Sequence, residues 1–203
     1  PVVILMHGYG SSMSDLAALC PIIDRKGYLY VCPNAPIRID VGPGMEGYSW
    51  MPLGDEGWLT DDVGAEEKLD EMFEEIKDRY KVGSRRVILG GFSQGGMMSY
   101  WWGLRNHDLF GGLIALSSRV PDPGSLKERL PSKHDQSIFV AHGTEDTMIS
   151  VDNARDSVRF LEMEGYKPEY KEYAMGHQIT EQVLEDLVSW IRLVLPPVCL
   201  ERG

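Results

Sequence analysis

Gly91-Phe92-Ser93-Gln94-Gly95 stands between a short aliphatic run, Arg86 to Leu89, and a segment from Gln94 to Asn106 that reads as a helix. A serine on so tight a strand-to-helix turn has a strained backbone, and the flanking positions must be small for the two arms to pass. Gly91 and Gly95 meet that need. The helix N-terminus directs free N–H groups and a positive dipole at any charge developing beside Ser93. The pattern alone is common in glycine-rich chains, so its weight comes from its setting.

That setting alternates strand with helix. Aliphatic or β-branched runs at Val2 to Met6, Tyr28 to Cys32, Arg86 to Leu89, Leu113 to Leu116, Ile138 to Ala141 and Glu169 to Tyr173 predict strands, several of them buried on both faces. Helices are predicted over Ser14 to Ile23, Thr60 to Tyr80, Gln94 to Asn106, Val151 to Glu164 and Thr180 to Leu195. The second is the most periodic, with Leu69, Met72, Phe73, Ile76 and Tyr80 on one stripe, Thr60 as N-cap, Asp61 and Asp62 near its positive end and Gly83 closing it. The alternation predicts an α/β fold, a doubly wound, mostly parallel central sheet flanked by helices, in a single domain over residues 1–203. Ligands bind such sheets beyond the carboxyl ends of the strands, which is where Ser93 falls.

Residues 34–59 form a long Gly- and Pro-rich connection carrying Tyr48, Trp50, Met51 and Trp58. A connection of that length usually has a task. Tyr48, Trp50 and Met51 are expected to wall a substrate pocket, and the aromatics expected to be exposed there fit a homodimer.

The chain of 203 residues is 43% hydrophobic and 25% charged, ordinary for a soluble globular protein. Its net charge of −11 disfavours nucleic acid and anionic membranes, and no apolar run reaches the about 18 residues of a membrane span. Three cysteines, with no C-x-x-C spacing, argue against a disulfide framework and for a reducing, cytoplasmic compartment. Cys20 and Cys32 read as small core residues, Cys199 as a free thiol in the tail. The chain opens at Pro1 without an initiator Met and carries no targeting signal.

A serine hydroxyl needs a neutral imidazole as base, held in the right tautomer by a carboxylate. Of five histidines, His177 lies in the loop between the last strand and the terminal helix, on the same sheet edge as Ser93. His107 and His134 occupy polar segments, and His142 ends a strand and is expected to brace the next loop. His142-Gly143-Thr144-Glu145-Asp146 offers two neighbouring carboxylates at a strand's carboxyl end. Two N–H donors must hold the oxyanion. Gln94 supplies one, and His7-Gly8-Tyr9-Gly10 turns the backbone so that Tyr9 supplies the other, through amides rather than side chains. His7 is then an anchor of this loop.

Taken together, His7-Gly8-Tyr9-Gly10, Gly91-Phe92-Ser93-Gln94-Gly95-Gly96, His142-Gly143-Thr144-Glu145-Asp146 and Gly176-His177 resemble the phospholipase/carboxylesterase family, which includes acyl-protein thioesterases, of the α/β-hydrolase superfamily. Cys32-Pro33-Asn34-Ala35-Pro36 and Ala115-Leu116-Ser117 are similar to further family segments. The resemblance implies an α/β-hydrolase fold, Asp146 as the acid rather than Glu145, and a catalytic set of Ser93, Asp146 and His177 with no cofactor and no metal. It implies a lidless serine carboxylesterase with a shallow apolar groove for short- to medium-chain acyl esters. Acyl-protein thioesterase or lysophospholipase activity is the alternative within that chemistry, and a non-catalytic acyl-ligand sensor the alternative outside it. Tyr9, Met51 and Ser118-Arg119 depart from the family pattern. Arg119 reads either as a surface cation or as a partner for an anionic substrate group at the pocket mouth.

Overall fold

The structure is a computed structural model that describes residues 1–52 and 64–198. Its central sheet has six strands, β1 (Val2–Met6), β2 (Leu29–Val31), β5 (Val87–Phe92), β6 (Phe110–Leu116), β7 (Ser137–Gly143) and β8 (Glu169–Tyr173). Between β2 and β5 lie β3 (Ile37–Gly42) and β4 (Met45–Ser49), which form a separate antiparallel pair. The six strands run in the order β2-β1-β5-β6-β7-β8, every pairing parallel. The chain steps from β1 outward to β2, then returns to the other side for β5 and beyond. The order therefore reverses at the β1–β5 crevice, the place where such sheets bind ligands.

The helices are α1 (Met13–Ala17), α2 (Cys20–Ile23), α3 (Ala65–Tyr80), α4 (Gln94–Arg105), α5 (Pro123–Glu128), α6 (Val151–Met163) and α7 (Glu181–Val194). Alternate residues of one strand enter two different cores, which explains why the strands read as continuous apolar runs rather than as alternating ones. Val2, Ile4 and Met6 pack with Leu69 and Phe73 of α3 and with Trp102 of α4; Val3 and Leu5 pack with Leu16 of α1 and with Leu187 and Trp190 of α7. Helices thus cover both faces, as expected of a doubly wound sheet.

Several local expectations change. Residues 34–59 are not all loop, since β3 and β4 pair from Ile37↔Ser49 onward with an irregularity between Asp40 and Gly42. The predicted helix from Ser14 to Ile23 is two short ones, because Pro21 has no N–H to continue the first ladder. Helix α5 was not foreseen; Asp122 caps it, accepting from the Gly124 and Ser125 amides, with Pro123 in its first turn. Helix α3 begins at Ala65 after Gly64. Thr60, Asp61, Asp62, Trp58 and Cys199 lie outside the described residues. No described helix is long and apolar enough to cross a membrane.

Candidate active site

Ser93 joins β5 to α4 with φ 53° and ψ −117°. A non-glycine residue there costs about 1–3 kcal/mol and persists only where its surroundings over-determine it. They do: the Ser93 amide donates to the Leu116 carbonyl at 2.9 Å, and the Ser93 carbonyl accepts from the Met97 amide at 3.1 Å and the Ser118 hydroxyl at 2.7 Å. Gly91 and Gly95 are required by close approach. A Cβ on Gly91 would overlap the Gly95 carbonyl group, and one on Gly95 would overlap the carbonyl of Met6.

The loop after β1 runs beside this elbow, since a Cβ on Gly8 would meet Ser93 Cβ at 3.3 Å. His7 fixes the loop. Its Nε2 accepts the Ala35 amide at 3.1 Å, so the proton resides on Nδ1, which donates to the Gly8 carbonyl at 2.7 Å. Burial holds the ring below the ordinary histidine pKa, and with both nitrogens engaged His7 is an anchor rather than a base. In the turn that follows, the amides of Gly10 and Ser11 donate to Tyr48 and Gly8, leaving the Tyr9 amide just before them outside these bonds. Gln94 opens α4, where the first amides have no carbonyl a turn earlier.

The opposite side of the site comes from the loops after β7 and β8. The Thr144 and Glu145 amides donate to the carbonyls of Tyr173 and Met175 at 2.8 and 3.0 Å, and Gly143 leaves room for the close approach. Asp146 and His177 meet there, Nδ1 to Oδ2 at 2.7 Å. Asp146 Oδ1 accepts the amides of Met148 and Ile149, both at 2.9 Å. Burial works to raise the Asp146 carboxyl, yet the bonds from Ile149, His177 and Met148 outweigh it and hold it below the usual carboxylate range. Glu145 is exposed, which separates the two carboxylates that sequence left side by side. The His177 ring lies 4.8 Å, centroid to centroid, from the ring of Phe92, the residue before Ser93. Serine, imidazole and carboxylate thus gather at one rim of the sheet, the set that acyl transfer through a serine requires.

Trp50 and Met51 are buried in the core, 2% and 3% exposed, with their surfaces spent on protein, and Tyr48 is half-buried. The Trp50 indole donates to the His7 carbonyl at 2.9 Å. The Gln94 side chain, beyond its amide, is 2% exposed and clamps this segment: Oε1 accepts the Trp50 amide, and Nε2 donates to Ser49 Oγ and the Met51 carbonyl. Arg119 is half-buried rather than a plain surface cation, and donates to the carbonyls of Val120 and Pro121. His107 pairs with Asp108 and His134 stacks on Tyr166, both outside the site. No group of three or more His, Cys, Asp or Glu among the described residues is arranged to hold a metal ion.

Sheet, elbow and loop order define an α/β-hydrolase fold, shared with the solved esterase PE8 (TM-score 0.83, 28% identity, 96% of this chain and 92% of that one). The Bacillus cereus carboxylesterase has the same fold, with TM-score 0.79 at 21% identity over 96% of this chain and 88% of its own. Acyl-protein thioesterase 1 of Aspergillus fumigatus is 30% identical over 96% of this chain and 88% of its own length, and that of Mycosarcoma maydis 29% identical over 94% and 90%. The phospholipase/carboxylesterase family model matches residues 1–195, and the chain belongs to that family of hydrolases acting on acyl esters.

Proposed function

We propose that the protein is a serine carboxylesterase that hydrolyses short- to medium-chain acyl esters through an acyl-enzyme. The observation that carries this reading is the 2.7 Å bond between His177 Nδ1 and buried Asp146, made on a ring that packs against Phe92 next to the strained Ser93. That bond leaves Nε2 of His177 as the free base. His177 takes the Ser93 proton as Oγ adds to the ester carbonyl, and the amides of Tyr9 and Gln94 stabilise the oxyanion. Collapse expels the alcohol, protonated by His177. Water, deprotonated by the same ring, then adds to the acyl-serine, and the acid leaves with Ser93 restored. Asp146 stays ionised and stabilises the imidazolium.

Ser93→Ala tests it: release of p-nitrophenol from a short acyl p-nitrophenyl ester should fall to background while the thermal transition is kept. Undiminished turnover ends the reading. The names of the relatives favour one second reading, an acyl-protein thioesterase. Rates on a short ester and on a long-chain acyl thioester, measured side by side, separate the two.

A further inference from the structure

Asp146 lies between two imidazoles, bonded to one and in close contact with the other. Nε2 of His142 lies 3.3 Å from Asp146 Oδ2 and 2.7 Å from the Ile149 carbonyl oxygen, on a ring that is 0% exposed and whose Nδ1 meets no partner. This pattern fixes the tautomer. Both neighbours of Nε2 are acceptors, so Nε2 carries the proton; moving it to Nδ1 would strand a buried donor and set a lone pair against two oxygens.

We propose that His142 is a positioning residue of the reaction: its Nε2–H bonds the Ile149 carbonyl and sets its positive end 3.3 Å from Asp146 Oδ2, holding the turn whose amides grip the carboxylate so that it stays on His177. The inference rests on the serine-hydrolase reading, in which His177 is the base. Oδ1 is held by the amides of Met148 and Ile149, and Oδ2 accepts from His177 with the His142 ring beside it. At 3.3 Å the positive end of the same N–H lowers the negative potential at Oδ2 and so moderates the field on His177. Glu172, the register partner of His142 on β8, has partners of its own: Arg155 of α6 through Nε and Nη2 at 2.8 Å each, and the Tyr170 hydroxyl at 2.8 Å. That carboxylate is neutralised by arginine, which leaves the His142 N–H to Asp146 and Ile149.

The test is steady-state kinetics on a short acyl ester across pH for wild type, His142→Met, His142→Gln and His142→Asn. A glutamine amide reaches the Nε2 position; an asparagine amide stops short of it. His142→Met and His142→Asn should lower kcat about tenfold through misplacement of the base, with KM unchanged because nothing touching substrate is lost. Their acid limb of kcat/KM should move to higher pH, since the full carboxylate charge then acts on His177. His142→Gln should restore both. Equal kcat and equal acid limbs in His142→Gln and His142→Asn overturn the inference, and that pair decides even if His142→Met does not fold. Ser93→Ala in the same assay keeps the two claims apart: turnover there removes the serine reading, whereas an inactive Ser93→Ala with indistinguishable Gln and Asn variants removes only the role of His142.

Discussion

The amide of Trp50 donates to Oε1 of Gln94 at 2.7 Å, across 44 residues of chain. The residue that follows Ser93 therefore ties the end of β4 to the elbow, and Trp50 in turn ties that segment to the carbonyl of His7. Elbow, hairpin and β1 loop are joined by hydrogen bonds whose side chains, His7, Ser49, Trp50 and Gln94, are all buried.

Truncating the clamp leaves the Trp50 amide and Ser49 hydroxyl short of a buried partner, a loss of about 1–3 kcal/mol. Gln94→Ala should lower the free energy of urea unfolding by that amount. Gln94→Glu should be worse at neutral pH, because its second oxygen would face the Met51 carbonyl with a buried charge. Equal unfolding midpoints in all three proteins would show that the clamp contributes nothing.

Much of this was legible in the sequence, and the gaps have physical reasons. Val2–Met6 announced a central strand because both its faces are buried, and Ser93, Asp146 and His177 could be named because each sits in a loop at a strand's carboxyl end. The β3–β4 pair was missed because Gly42, Pro43 and Gly44 at its turn mimic loop composition, although Ile37, Ile39 and Val41 alternate as a strand should. Asp122-Pro123 is a readable helix start, an N-cap followed by proline in the first turn. The side-chain bonds of Gln94 and His142 have no local signature: each depends on where a segment distant in the chain is placed by the whole sheet.

His7 sets a pH dependence of stability. Its folded pKa lies below the ordinary value of about 6.5, so the unfolded chain binds the proton more readily. Its contribution is complete above that value and is lost as pH falls toward the folded pKa. Wild type should lose unfolding free energy as pH falls below about 6.5, and His7→Asn, which cannot titrate, should show a flatter profile there. Urea titrations at several pH values measure both slopes; parallel profiles would remove His7 as the cause.

Gly95 sets helix propensity against sterics. It lies in the first turn of α4, where alanine would ordinarily gain about 1 kcal/mol over glycine. Its added methyl, however, would overlap the Met6 carbonyl and lie 2.7 Å from the His7 oxygen, backbone atoms of the β1 end and the loop that follows it. β1 is held between β2 and β5 and cannot yield. Gly103, in the same helix, would instead place a methyl against the branched end of Leu113, a flexible side chain. Sterics should therefore win at both positions but unequally: Gly95→Ala should lose several kcal/mol or fail to fold, and Gly103→Ala should lose about 1–3 kcal/mol, as overpacked cores do. Urea unfolding of the two variants ranks them, and a Gly95→Ala protein as stable as wild type would mean that the helix does not approach β1 as closely as this geometry requires.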